Sequence, residues 1–259
     1  MIILKSPPEL DLMRKAGDIV AGCLDLAQRL LRPGVRLDDV DAQVEAYIRS
    51  RGATPSFKGY LGYKKSTCIS VNEEVVHGIP GSRVVQEGDI VGFDVGAVWQ
   101  GYHGDAARTF AMGPVPEATR KLMTVTRESL QKGIEQARVG NRLGDISHAI
   151  QVHAEAHGFS VVRNLVGHGI GQNLHEKPQV PNYGPPGVGP RLKPGLVLAL
   201  EPMLNAGLAD VYTKSDRWTI VTADGSLSAH FEQTVAITED GPEVLTGPLH
   251  TGLDGGVLV

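Results

Sequence analysis

Several carboxylates stand inside or directly after apolar segments of the sequence, where an isolated charge is costly. Asp94 lies within Ile90–Val95, and Glu201 ends the apolar run Leu196–Leu200. Glu232 comes shortly before another apolar segment. A carboxylate buried in such surroundings loses its hydration, so each of these acids needs a partner that compensates for the loss.

Two more polar residues join this set: Asp105 in a Gly-Tyr-His-Gly-Asp motif and His168 in a Gly-His-Gly-Ile-Gly motif. Salt bridges could neutralise one or two of the acids, and Arg108 is close to Asp105 in the sequence. However, no lysine or arginine closely flanks Glu201 or Glu232. Four converging carboxylates without cations would repel one another, whereas a divalent metal removes this penalty. We therefore predict that the four acids and His168 form a metal site.

The donor set indicates how many metal ions the site would hold. Four carboxylates and one imidazole are too many ligands for one tetrahedral catalytic zinc, and no cysteine joins them. Two metals about 3.5–4 Å apart that share bridging carboxylates would use the whole set. An oxygen-rich site favours Mn²⁺, Fe²⁺ or Co²⁺, although the order of affinities alone does not decide which metal is bound.

Two further histidines share a His-x-x-Pro spacing, His77 with Pro80 and His175 with Pro178. A single histidine is more often a structural residue than a catalytic one. In loops that face a metal pair, however, an imidazole can transfer protons or stabilise an oxyanion. Both interpretations stay open at this point.

Alternating helices and strands must position these residues. A capping box at Ser6 and Glu9 begins the first helix, whose apolar residues recur at helical spacing until Pro33-Gly34. Further helices are predicted over about Asp38–Gly52, Pro116–Ala137 and Leu143–His157. Strands are predicted over Thr67–Val71, Ile90–Trp99, Ala106–Met112, Ser160–Val162, Leu196–Glu201, Trp218–Val221 and Ala229–Ile237.

This pattern repeats along the chain. The residues Gly-x-Arg-Leu-x-Asp occur at 34–39 and again at 140–145, a shift of 106, and Gly88–Asp94 resembles Gly195–Glu201 at a shift of 107. We therefore predict an internal duplication and an α+β fold in which two pseudo-twofold halves share a curved sheet covered by helices. The halves are expected at about residues 7–113 and 114–245 of one domain spanning 1–259.

Composition excludes several other classes of protein. The chain has 259 residues, 41% of them hydrophobic, and a formal net charge of −4, which argues against a basic surface for nucleic acid or anionic lipid. Two cysteines, Cys23 and Cys68, are too few for a disulfide framework and suit a reducing compartment. The sequence contains neither a signal-peptide pattern nor an apolar run of about 18 residues, so we expect a cytoplasmic protein without a membrane partner.

An ordered set of motifs resembles the type I methionine aminopeptidases, over nearly the whole chain from about residue 4 to 247. The motifs are Ser70–Pro80, Gly101–Asp105, Gly167–Gly171, Leu200–Met203 and Ser228–Glu232. The resemblance implies the pita-bread fold, whose curved antiparallel sheet and pseudo-twofold halves agree with the duplication. The length of the chain leaves no room for the helical subdomain inserted in type II members.

The resemblance also implies a role for each metal ligand. Asp94 would chelate one metal ion, and His168 and Glu201 the other. Asp105 and Glu232 would bridge both ions. The expected cofactors are two divalent ions per chain: Co²⁺, Mn²⁺, Fe²⁺ or Zn²⁺.

In this family an activated water attacks the carbonyl of the first peptide bond. By resemblance, Glu201 would relay the proton to the leaving amine and His175 would stabilise the oxyanion. His77 would form a hydrogen bond with the leaving-side amide nitrogen. An apolar slot for the methionine side chain is implied at Tyr60, Tyr63, Cys68 and Trp218. The sequence departs from the family pattern near this slot at Phe57, Val76 and Leu174.

The expected function is a metalloaminopeptidase that removes the N-terminal methionine of nascent proteins and peptides when the second residue is small and uncharged. Two alternatives are an X-Pro aminopeptidase or prolidase-like hydrolase, and a non-catalytic binding protein of the same fold. The expected partners are peptide and nascent-chain N-termini, and the ribosome is a further partner that this function leaves open. No signature of oligomerisation is present, so we expect a monomer.

Overall fold

Four α-helices form in residues 1–248, the part of the chain described by this computed structural model. They cover Pro7–Leu30 (α1), Leu37–Ser50 (α2), Glu117–Gln136 (α3) and Leu143–Ala156 (α4), and a short 3-10 turn covers Tyr60–Gly62. Each lies close to its predicted position. None of these described helices is both long and apolar enough to cross a bilayer. Residues 249–259, the end of the predicted domain, lie outside the described residues.

The start of α1 shows why the helix forms where it does. The Ser6 backbone N–H donates a hydrogen bond to Glu9 Oε2 at 2.7 Å, and Pro7 occupies the first helical position. This capping box satisfies a backbone donor that a helix N-terminus leaves unpaired. The helix ends at Leu30, ahead of Pro33, which cannot continue it.

The strands are mostly short, and the structure contains more of them than the sequence pattern predicts. In chain order they are Thr54–Pro55 (β1), Thr67–Val71 (β2), Glu74–Val76 (β3), Ile90–Trp99 (β4), Tyr102–Ala111 (β5), Ser160–Val161 (β6), Val166–Gly169 (β7), Glu176–Pro181 (β8), Val197–Leu200 (β9), Met203–Asn205 (β10), Val211–Thr213 (β11), Ile220–Thr222 (β12), Ser228–His230 (β13), Gln233–Thr238 (β14) and Gly241–Val244 (β15). The strands that the pattern misses are short or contain glycine and proline, so they lack a clear alternation of apolar and polar residues.

Several predicted strands differ from the observed ones by one or two residues at an end, as where Trp218–Val221 is observed as Ile220–Thr222, and two differ more strongly. The predicted start at Ala106 is wrong, because β5 begins at Tyr102, which pairs with Trp99 of β4. The turn between them uses positive φ angles of 46° at Gln100 and 85° at Gly101, which reverse the chain tightly. The predicted strand Ala229–Ile237 is interrupted between β13 and β14.

The strands form antiparallel sheets, one principal sheet in each half. In the first half β1 and β2 pair with β4, and β5 pairs with β4 as well. In the second half the strand order is β15-β14-β9-β7-β8. Two smaller sheets have the strand orders β13-β10-β6 and β11-β12-β3. The second of these joins strands from both halves, because β3 belongs to the first half and β11 and β12 to the second.

Helices bury their apolar faces against these sheets. Leu24 of α1 lies in the same buried cluster as Phe93 of β4. Leu122 of α3 and Ile146 of α4 lie in a second buried cluster with Leu198 of β9. Each sheet is therefore covered by its own helix pair, which leaves the other face available for a site.

The two halves repeat in detail. The helices α2 and α4 are both 14 residues long and begin at Leu37 and Leu143. The first residue of each helix forms a backbone hydrogen bond with a residue in the later part of its own half. The Leu37 N–H donates to Arg83 O and the Leu143 N–H donates to Pro190 O, both at 3.0 Å. These pairs are related by shifts of 106 and 107, so the predicted α+β fold with two repeated halves is confirmed.

Candidate active site

Asp94 and Glu201 occupy corresponding positions in the two halves. Asp94 lies in the middle of β4, opposite Cys68 of β2 and Ala107 of β5. Glu201 directly follows β9, and its backbone oxygen accepts a hydrogen bond from Asn182 Nδ2 at 3.0 Å. The repeated strands thus deliver one carboxylate from each half to the same place.

The other two acids are brought together where β5 runs alongside β13 and β14. Ala107 and Glu232 exchange backbone hydrogen bonds of 2.9 and 3.3 Å. At Asp105 a threonine side chain takes the place of the backbone. Thr234 Oγ1 accepts from the Asp105 N–H (3.0 Å) and donates to the Asp105 carbonyl oxygen (2.7 Å).

We call this contact between β5 and the segment 230–234 the seam. At its other end Thr109 Oγ1 accepts a hydrogen bond from the His230 N–H (3.0 Å) and donates one to the His230 carbonyl oxygen (2.8 Å). The seam therefore joins the two halves in an antiparallel register. Because both acids belong to it, their relative position is set by backbone and threonine contacts rather than by a flexible loop.

The carboxylates converge with His168. One ligand atom from each of Asp105, His168 and Glu232 lies within 4.8 Å of the others, and all three residues are buried. His168 Nε2 is 3.6 Å from Glu201 Oε1, while its Nδ1 is hydrogen-bonded to the Gly169 carbonyl oxygen at 2.9 Å. This bond leaves Nε2 as the nitrogen that faces the acids.

Burial gives this cluster unusual electrostatics. It raises the pKa of Asp94, Glu201 and Glu232 well above the ordinary range, and repulsion from the neighbouring carboxylates adds to the shift. Burial also raises the pKa of Asp105 to about 7. The pKa of His168 falls to about 3, chiefly because burial disfavours the imidazolium, so the ring is neutral and able to act as a ligand.

No lysine or arginine in residues 1–248 forms an ion pair with these four carboxylates. Arg108 stands an odd number of residues from Asp105 on β5, so the two side chains lie on opposite faces of the strand. Its guanidinium lies over the Phe110 ring at 5.7 Å. Arg108, the basic residue nearest to Asp105 in the sequence, therefore does not neutralise this acid, and a salt bridge between them is excluded.

The residues fit a divalent metal. Asp94 Oδ1 and Asp105 Oδ1 are buried and have no hydrogen-bond partner among the described residues. Such atoms are costly unless a cation compensates for their lost hydration. Oxygen donors with one neutral imidazole suit a divalent transition metal.

Removing metal is expected to make the protein's stability depend on pH. An acid whose pKa is raised by folding destabilises the fold above that pKa, and the penalty disappears as the pH falls through it. The melting temperature of the metal-free protein should therefore rise when the pH is lowered from about 9 to about 7. Thermal melts after chelation measure this directly.

Below about pH 6.5 the buried histidines oppose this trend, because their imidazoles take up protons on unfolding. The pKa values of His77 and His168 lie at about 4 and 3, mainly through burial. The metal-loaded protein is the control and should vary less between about pH 9 and 7, since bound cations compensate for the carboxylates. A metal-free melting temperature that stays constant or falls over that interval contradicts the prediction.

The cluster forms part of the wall of a cavity of 180 Å³. All eleven site residues predicted from the sequence line this cavity: Tyr60, Tyr63, Cys68, His77, Asp94, Asp105, His168, His175, Glu201, Trp218 and Glu232. Phe57, Leu61 and Leu174 complete its wall.

The two additional histidines reach the cavity from different halves. His77 follows β3 with a φ of 60°, and burial, followed by repulsion from His175, lowers its pKa to about 4. His175 directly precedes β8, and its Nδ1 is hydrogen-bonded to Tyr60 Oη at 2.8 Å. Its ring centroid is 4.2 Å from that of His168. Burial lowers the pKa of His175 too, so both imidazoles are neutral near pH 7.

Apolar side chains form another part of the cavity wall. The Tyr63 and Trp218 rings pack edge to face with centroids 4.9 Å apart, and Tyr63 Oη donates to Thr67 O at 2.9 Å. Phe57 and Leu174, two of the departures from the family pattern, belong to the same apolar cluster. The third departure, Val76, lies in a different buried cluster and does not line the cavity.

Sequence reasoning missed several residues near the site. Leu61 is 80% exposed at the cavity mouth and has a positive φ of 47°. His230 is buried with Nε2 3.9 Å from Glu201 Oε2, and this nitrogen has no hydrogen-bond partner in the described part of the chain. The sequence signal that could have identified His230 as a site residue is its position two residues before Glu232. The seam threonines gave no local signal, because their partners are distant in sequence.

Comparisons with known proteins agree with this geometry. Residues 11–239 match metallopeptidase family M24. The chain is 55% identical to methionine aminopeptidase 1 of Bacillus subtilis (strain 168) over 246 residues, which cover 95% of this chain and 99% of the relative. The crystal structure of methionine aminopeptidase from Thermotoga maritima has a TM-score of 0.94 and 51% identity, covering 96% of this chain and 100% of that chain. The fold and the site define a metallopeptidase, and the chain belongs to family M24.

Within family M24 the chain groups with the methionine aminopeptidases. The prolidase from Pyrococcus furiosus shares the fold at a TM-score of 0.77, but its identity is 25%, covering 95% of this chain and 66% of that chain. The family resemblance of the sequence motifs is therefore confirmed, together with the pita-bread fold and the expectation of an enzyme. Membership of a metallopeptidase family also supports a divalent metal cofactor.

Proposed function

We propose that this enzyme removes the N-terminal methionine from nascent proteins and peptides whose second residue is small and uncharged. The observation that carries the proposal is a cavity of 180 Å³ lined by four carboxylates without a cationic partner, by a neutral histidine and by several apolar side chains. That arrangement offers a cation site for the reacting groups and a slot for one apolar side chain.

The proposed cofactors are two divalent ions. Asp94 would hold one ion, and His168 and Glu201 the other, with Asp105 and Glu232 shared between them. When bound, such ions polarise a carbonyl and lower the pKa of a water molecule. Mn²⁺, Fe²⁺, Co²⁺ and Zn²⁺ are all compatible with this donor set.

The proton steps fall to the chain's own residues. Glu201 lines the cavity beside the other acids and would accept a proton from the attacking water and deliver it to the leaving amine. Tyr60 Oη lies 2.8 Å from Nδ1 of neutral His175, and a hydroxyl that donates to this nitrogen would leave the ring proton on Nε2. That N–H can then donate to the developing oxyanion. His77, which lines the same cavity, would accept a hydrogen bond from the N–H of the leaving-side amide.

The cavity selects the N-terminal residue. Tyr63, Cys68 and Trp218 offer an apolar wall for the methionine side chain, and Tyr60 narrows the opening. The free α-amine would lie against the acidic part of the wall, so a blocked N-terminus or an internal peptide bond would not fit. We propose that the enzyme acts as a monomer in the cytoplasm, in keeping with the free thiols of Cys23 and Cys68.

A peptide panel tests the proposed function. Metal-loaded protein is incubated with Met-Ala-Ser, Met-Trp-Ser and Ala-Pro-Phe, and elemental analysis counts the bound metal. Free methionine is expected from Met-Ala-Ser alone, with two metal ions per chain. Cleavage of Ala-Pro-Phe alone would favour the X-Pro aminopeptidase alternative, and cleavage of none would favour a binding protein.

A further inference from the structure

We propose that the buried ion pair between Lys5 and Glu176 positions His175, so that both are positioning residues for the reaction. Lys5 Nζ is 2.6 Å from Glu176 Oε2, and the two side chains are only 2% and 4% exposed. Glu176 directly follows His175 and begins β8. The inference rests on the proposed function, in which His175 stabilises the oxyanion.

Glu176 holds the loop that carries His175 at two points. One carboxylate oxygen binds Lys5, and the other accepts a hydrogen bond from the Asn173 N–H at 3.2 Å. The loop also packs directly on the ion pair. A Cβ at Gly171 would lie 2.4 Å from Lys5 Cε and 2.7 Å from Glu176 Oε1. The loop therefore has room for the pair only because residue 171 is a glycine.

Lys5 is itself fixed to the second half of the molecule. Its backbone N–H donates to Gly195 O at 2.7 Å, in the turn that precedes β9. Since β9 leads to Glu201, the same backbone segment anchors the proposed metal ligand and, through Lys5, the loop of His175. Through these contacts Lys5 connects the segment that carries Glu201 with the loop that carries His175, and the proposed reaction needs both side chains in a fixed relative position.

The hydrogen-bond partner of the His175 ring belongs to an exposed turn, and the ring also packs against buried His168, with centroids 4.2 Å apart. Tyr60, which is bonded to Nδ1, is 36% exposed, and the next residue, Leu61, is 80% exposed. Among the polar contacts that hold this residue and its loop, the buried one is the Lys5–Glu176 ion pair. A donor to an oxyanion must be held within a fraction of an ångström, so loss of this contact is expected to affect turnover rather than binding.

The test separates positioning from stability. In the double variant Lys5→Met/Glu176→Gln neither partner is left as an uncompensated buried charge, so the fold is expected to survive. We expect kcat for Met-Ala-Ser to fall about tenfold with KM little changed. Lys15→Met is the matched control, because Lys15 is 69% exposed in its pair with Asp18. Should the double variant fail to fold, Glu176→Asp keeps both charges, retracts the carboxylate by one methylene and is expected to lower kcat as well.

A double-mutant cycle with His175→Ala completes the experiment. If the ion pair acts through His175, the double replacement lowers kcat no further in that background. A wild-type kcat in the double variant, or a tenfold loss that persists without His175, overturns the positioning role. Wild-type kcat in His175→Ala alone contradicts the oxyanion assignment of the proposed function and removes the basis of this inference with it.

Discussion

Replacement of Glu201 by glutamine is expected to reduce methionine release from Met-Ala-Ser to below about a thousandth of the wild-type rate. The substitution removes a proposed metal ligand and the proposed proton carrier while changing the shape of the side chain very little. Asp105→Asn is expected to have a similar effect, because it removes a ligand proposed to serve both ions. The measurement is kcat at saturating metal together with the number of ions bound per chain.

The same variant should show that its fold is intact. In the absence of metal, Glu201→Gln removes one of four mutually repelling buried carboxylates, so its melting temperature at about pH 8 is expected to exceed that of metal-free wild type. Glu239→Gln, at an exposed position, is the control and should change neither property. Near-normal kcat with a full complement of metal would refute the ligand assignment.

Replacement of His175 by alanine is expected to lower kcat by about 10²–10³ with little change in metal affinity. The imidazole lies beside His168, a proposed metal ligand, with ring centroids 4.2 Å apart, yet it is proposed to contact only the reacting carbonyl oxygen. Loss of one preorganised donor therefore affects the transition state more than the ground state. Steady-state kinetics and metal titration of the same preparation measure the two effects separately.

His157→Ala provides the matched control for this histidine. His157 lies exposed at the end of α4, and its Nδ1 is hydrogen-bonded to the His153 carbonyl oxygen. The same side chain is removed there, away from the cavity, and kcat is expected to stay at the wild-type value. Unchanged kcat in His175→Ala would exclude that residue from the mechanism.

Much of the fold was predictable because its signals are local. Capping residues, helical periodicity and turn glycines lie within a few positions of one another, so the four helices and the strand β4 were found from the sequence. Short strands such as β7 and β10 were not found, because a strand of three or four residues carries too little alternation to stand out. Their positions depend on partners elsewhere in the chain.

The sequence by itself determined that acidic residues in apolar strands require compensation, and that two similar halves each supply one of them. Asp94 and Glu201 were recognisable because a buried charge contradicts its own local surroundings. Only the tertiary structure decided that Arg108 turns away from the acids and that Thr234 joins the halves at Asp105. It alone placed Lys5 against Glu176, 171 residues away. Such contacts leave no local pattern, because they arise from the packing of segments that are distant in the chain.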